Sequence, residues 1–174
     1  MAIYALADLH LSLGNEDKPM DVFGKDWQNY TDRIKENWLK YIKEDDLVLI
    51  PGDFCWAMYL KDSIDDFKFI NDLPGKKIIS KGNHDYWWET VTKMRNFIKE
   101  NGFENIDFLM NNAYEYKDTI IVGTRGWSFE NDEETQKTIQ TIDNCKILPN
   151  TEFLIDDFFN ILYISSPSER INHI

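Results

Sequence analysis

Apolar residues recur along this chain in two distinct spacings. Short continuous runs lie at Ile3 to Ala7, Leu47 to Ile50 and Lys77 to Ser80, each followed at once by polar residues and, in the second and third, by glycine. Runs of this length without alternation predict strands buried on both faces. Between them the spacing changes. Trp27, Tyr30, Ile34, Trp38, Tyr41 and Ile42 recur at intervals of three and four, with Asp, Lys and Glu between them, which predicts an amphipathic helix of about four turns. Ile64, Phe67 and Ile70 predict a second helix, stopped by Pro74-Gly75, and Val91, Met94, Phe97 and Ile98 a third, stopped by Asn101-Gly102. Strand and helix therefore alternate through three rounds, the pattern of a parallel sheet covered on both faces. Ile106 to Met110, Tyr114 to Tyr116 and Thr119 to Val122 are closer together and read as meander strands. From Thr138 onward there is no glycine; apolar runs persist at Phe153 to Ile155 and Ile161 to Ile164 without a clean strand–helix–strand unit. The expected class is α/β, with mixed sheets flanked by helices in a single domain spanning residues 1–174.

Composition narrows the partners. A net charge of −12 over 174 residues repels phosphate backbones, so neither a nucleic-acid polymer nor an anionic membrane is an expected partner. No apolar run approaches the length that spans a bilayer. The start lacks a basic segment of the secretory kind, and two cysteines make no disulfide framework, so a cytoplasmic setting is expected.

Candidate chemistry gathers where the three strands end. The first gives Asp8-Leu9-His10, the second Gly52-Asp53 and the third Gly82-Asn83-His84-Asp85. In an open parallel sheet, ligands bind beyond the carboxyl ends of the strands, so the three clusters are expected to converge. Carboxylate, imidazole and amide oxygen together suit Mn, Fe, Zn or Mg-type ions. Asp53, on the middle cluster, is the natural bridge between two such ions, because a carboxylate has two oxygens. Two divalent ions would also let an acidic protein hold an anionic substrate. Each cluster alone is as readily a turn as a site, and only the three together exceed that ordinary reading.

Those clusters resemble the first three motifs of the calcineurin-like metallophosphoesterase superfamily over roughly residues 1–127. Lys18-Pro19-Met20, Gly82 to Trp88 and Gly123-Thr124-Arg125-Gly126-Trp127 are also similar to a bacterial branch described as predicted phosphohydrolases or Ser/Thr-phosphatase-like proteins. The resemblance implies a four-layer sandwich and a phosphoester hydrolase using a dinuclear metal centre and a metal-bound hydroxide. It implies that Asp8 and His10 hold one ion, that Asp53 bridges, and that Asn83 holds the second ion and touches the substrate phosphate. It gives His84 the role of orienting or protonating the leaving oxygen, with Asp85 as its partner. Arg125, between two glycines, is a candidate phosphate clamp or a surface arginine in a turn. The implied substrate is a small phosphoester or a phosphoprotein; a small-nucleotide phosphodiesterase is an alternative.

The chain departs from that family pattern in its second half. The family normally supplies three further histidines there, two in a Gly-His-x-His motif. This sequence holds three histidines in all, His10, His84 and His173, and no such motif. A truncated or frame-altered form, with an incomplete second sheet, is the favoured expectation. A divergent protein in which Asp156 or Asp157 substitutes as ligand is the alternative. A remnant that binds metal or a partner without turnover is the corresponding functional alternative. Open strand edges would favour a homo-oligomer. Cys55 is expected as a small buried residue, and Trp87 and Trp88 as packing residues rather than cleft lining.

Overall fold

In the computed structural model, residues 2–14, 18–117 and 119–123 are described (the side chain of residue 26 excepted), together with the backbone of residues 152–155, 161–165 and 171–173. Two sheets form. The first holds β1 (Ile3–Ala5), β2 (Leu47–Ile50), β3 (Lys76–Ile79), β4 (Ile106–Phe108) and β9 (Ile171–His173), in the order β4-β3-β2-β1-β9. Every neighbouring pair in it is parallel. The second holds β5 (Asn112–Tyr116), β6 (Thr119–Gly123), β7 (Glu152–Ile155) and β8 (Ile161–Ser165), in the order β5-β6-β8-β7, all antiparallel. Helices α1 (Tyr30–Tyr41), α2 (Ile64–Asn71) and α3 (Val91–Glu100) make the crossovers between successive strands of the first sheet.

The strand order explains the layering. From β1 to β4 the chain steps always in the same direction, and right-handed crossovers then place all three helices on one face. Trp38 and Ile42, Phe67 and Ile70, and Met94 and Ile98 join Val48, Ile50 and Ile79 in one core. The alternate strand positions Leu47, Leu49 and Ile78 point the other way, into a second core with Leu109 and Ile121, against which Tyr114 and Tyr116 pack. Both faces of the parallel sheet are therefore covered, by helices on one side and by the second sheet on the other. This accounts for strands that read as continuous rather than alternating.

Two expectations change. Ile106–Phe108 is not part of a meander: it follows the α3 crossover and pairs parallel with β3, Lys77 facing Ile106. Only β5 and β6 form the expected hairpin. The first helix begins three residues later than its apolar spacing, because Asn29 adopts a left-handed conformation (φ 51°) and Lys25–Trp27 forms a separate 3-10 turn. The tail, unreadable from the sequence, contributes β7 and β8 to the second sheet and β9 to the first.

One buried acid ties the loop after β1 to the helical layer. Asp66, on α2, is 1% exposed and accepts the Leu13 backbone N–H at 2.8 Å. Burial pushes its carboxyl up from the usual 3.8 to about 6. The folded state thus binds this proton more tightly than the unfolded chain. Stability from this group is full below about pH 4 and falls by about 3 kcal/mol as pH rises through about 6. Urea denaturation from pH 4 to 7 checks this: the parent should lose ground against Asp66→Asn between pH 4 and 6, and a pH-independent difference would contradict it.

Candidate metal centre

Beyond their last paired residues, β1 and β2 keep exchanging hydrogen bonds. Asp8 N–H donates to Gly52 O, His10 N–H to Asp53 O and Leu11 N–H to Phe54 O; Trp56 N–H returns to Leu11 O. This irregular ladder holds the Asp8-x-His10 segment beside Asp53. The three side chains meet: His10 Nε2 lies 3.8 Å from an oxygen of Asp8 and 3.8 Å from Asp53 Oδ2. One ligand atom from each of the three lies within 4.8 Å of the others, the one such group among the described residues.

The backbone of these residues is unusual. Asp8 (φ 57°), His10 (φ 45°) and Asp53 (φ 49°) all sit in the left-handed region. Asp and His tolerate it better than most residues, yet each such residue costs on the order of 1 kcal/mol. Asn29, Asn111 and Lys117 share this conformation elsewhere, but only here among the described residues do three such residues bring their side chains together.

The third cluster reaches the same place through a close approach. Gly52 has φ +119°, and a Cβ on it would come within 2.6 Å of Gly82 Cα; a Cβ on Gly82 would lie 2.2 Å from Asp53 N and Oδ1. The glycines thus let the loops after β2 and β3 touch. His84 N–H then donates to Asp53 Oδ1 at 2.9 Å, leaving Oδ2 toward His10. The His10 and His84 rings stand 5.9 Å apart. Asn83 is exposed on the same loop, between Gly82 and His84.

The resemblance implies Asp85 as the partner of His84; among the described residues its carboxylate instead bonds backbone and indole donors. Its Oδ1 accepts from Phe54 N at 2.9 Å, Trp87 Nε1 at 2.9 Å and, longer, Cys55 N; its Oδ2 accepts from Gly82 N at 2.7 Å. It is 1% exposed. Burial pushes its pKa up to about 6, opposed by those N–H donors. Asp85 is therefore a positioning residue that locks the β2 and β3 loops together. The Nδ1 of His84 is buried without a hydrogen-bond partner among the described residues.

An aromatic wall surrounds the histidines. Trp56 stacks on His10 at 4.9 Å between centroids and meets His84 at 5.0 Å, while Trp27 meets His10 edge-on at 6.1 Å. Tyr30 Oη donates to His10 O at 2.8 Å, and burial pushes its hydroxyl up to about 12. The apolar spacing gives Tyr30 only a place in an amphipathic helix and gives no sign of Trp56, whose position three residues beyond Asp53 is the available signal. Trp87 packs against Phe54 and Phe67 as expected, Cys55 is buried, and burial drives its thiol well above the ordinary value.

The donor set fits a divalent ion. Burial holds His10 below its usual 6.5, with His84 adding to the effect and Asp53 opposing it, so the imidazole is neutral and its lone pair is available near pH 7. Two carboxylates supply the negative charge, and with a neutral imidazole they make a donor set of the kind that such ions take. His173 lies on β9, opposite Ala5 of β1, in an element whose side chains are outside the described residues. Arg125, Asp156 and Asp157 also lie outside them.

Residues 1–165 match the family model of the calcineurin-like phosphoesterases. No curated protein matches the chain. Among solved structures, it is similar to the crystal structure of the protein of unknown function AQ665 from Aquifex aeolicus. The two are 20% identical with a TM-score of 0.46, over 81% of this chain and 70% of that one.

Replacing Asp85 with Asn turns one acceptor into a donor facing N–H groups. Asp85→Asn should cost about 2–4 kcal/mol in urea denaturation. It should also weaken Mn binding measured by calorimetry, although Asp85 touches no ligand atom. Unchanged metal affinity in a destabilised variant would refute the positioning role.

Proposed function

The chain belongs to the calcineurin-like phosphoesterase family, and from that premise we propose that it hydrolyses phosphoric esters at the Asp8–His10–Asp53 centre. The observation that carries this reading is the convergence of those three side chains, in strained backbone, at the carboxyl end of a parallel sheet. A divalent ion bound there supplies Lewis acidity toward a phosphoryl oxygen and lowers the pKa of coordinated water.

The chain's own residues have separate tasks. Asp8 and His10 hold the first ion of Mn, Fe, Zn or Mg type. Asp53 would help to hold that ion and a second one, and its Oδ1 accepts the His84 N–H. Asn83 would hold that second ion and contact the phosphate. His84 gives a proton to the leaving oxygen. Its ring nitrogen Nδ1 has no partner among the described residues, so no neighbour there fixes its tautomer. Arg125 clamps a phosphoryl oxygen. The substrate is a small phosphoester or a phosphoprotein, and the net charge of −12 disfavours a nucleic-acid polymer. A metal-binding domain without turnover is the second reading, suggested by a sequence that holds three histidines and no Gly-His-x-His motif.

Hydrolysis of 4-nitrophenyl phosphate with added Mn, Fe, Zn or Mg separates the two. The expected result is turnover that requires a divalent ion and that falls about 100-fold or more in kcat in His84→Ala, with metal content unchanged. Bound metal without turnover under any of the four ions would favour the second reading.

A further inference from the structure

We propose that the site selects phosphoesters whose organic part carries a planar aromatic ring, with Tyr86 as the specificity-determining residue. The inference rests on the phosphoester reading above and deepens it. Tyr86 is 53% exposed, although tyrosine is a residue that buries well, and its ring stands edge-on 6.2 Å from that of His84. Its position is fixed from both sides in sequence: Asp85 is locked by hydrogen bonds from Phe54, Cys55, Gly82 and Trp87, and Trp87 is in the core. Tyr86 N–H also donates to His84 O at 2.9 Å, closing a tight turn under the ring. The backbone on both sides of this exposed ring is held in place beside a site histidine, so binding there orders little of the chain.

The surroundings continue the same surface. Trp56 and Trp27, both half-buried, pack on His10, so the rings nearest the two histidines are all aromatic. The ammonium of Lys18 lies 4.8 Å over the Trp56 ring, placing a positive charge on this wall in a chain of net charge −12. With a phosphoryl group at the Asp8–His10–Asp53 centre and its organic part directed past His84, an aromatic ring meets Tyr86 in edge-to-face or stacked contact that a saturated ring of equal size does not make.

Two non-hydrolysable phosphonates test this by calorimetry on the Mn-loaded chain: benzylphosphonate and cyclohexylmethylphosphonate, similar in size and charge. The expected result is about tenfold tighter binding of the benzyl compound, in line with the worth of a single aromatic stack. In Tyr86→Ala the ratio should fall to near one, and Tyr86→Phe should restore it. Tyr86 is exposed, so these variants are expected to fold. Equal affinities in the parent would overturn the aromatic selectivity and leave the phosphoester reading standing. A benzyl preference that persists undiminished in Tyr86→Ala would overturn the role given to Tyr86. Failure of the Mn-loaded chain to bind either phosphonate would overturn the phosphoester reading, and the inference with it.

Discussion

Four N–H donors converge on the carboxylate of Asp85, and the placement of the site follows from that knot. Gly82 comes from the β3 loop, Phe54 and Cys55 from the β2 loop, and the Trp87 indole from the segment leading to α3. A buried carboxylate is costly unless its lone pairs are met, and here four N–H groups meet them. The knot presses the two glycines together, and their lack of side chains lets Asp53 and His84 share a hydrogen bond. The β1 loop is then added by the irregular ladder from Asp8 to Trp56.

The fold supplies the stress that this arrangement needs. Parallel strands deliver three chain segments to one edge, pointing the same way, without any turn between them. At that edge Asp8, His10 and Asp53 leave the extended conformation for the left-handed one. Local propensity does not favour these conformations; the helical core beneath, with Phe54, Phe67 and Trp87 in mutual ring contact, holds them in place. Like-charged Asp8 and Asp53, brought together around His10, add electrostatic cost that a divalent cation would relieve.

Much of this was legible in the sequence because the signals were local. Runs ending in Asp8, Gly52-Asp53 and Gly82-Asn83 marked both the strands and the chemistry, and the topology rule for parallel sheets brought them together. What stayed hidden depended on contacts distant along the chain. Nothing near Asp85 says that its acceptors are used by Phe54 and Cys55, some thirty residues earlier. Ile106–Phe108 looked like a meander strand because spacing along the chain does not reveal which sheet a strand joins. Trp56 and Tyr30 carry ordinary core signatures, and only the fold places them around His10. The tail was opaque for a similar reason: β8 pairs with β6 across a long connection, and β9 pairs with β1, the first strand of the chain.

Asp8, His10 and Asp53 form a donor group that could hold a divalent ion. Metal content per chain, measured by elemental analysis after equilibration with Mn and desalting, tests it most directly when the parent is compared with Asp53→Asn at matched folding by circular dichroism. At least one ion is expected to stay with each parent chain, with most of it lost in Asp53→Asn. A folded parent that retains no ion, or an Asp53→Asn variant that retains as much as the parent, would contradict it.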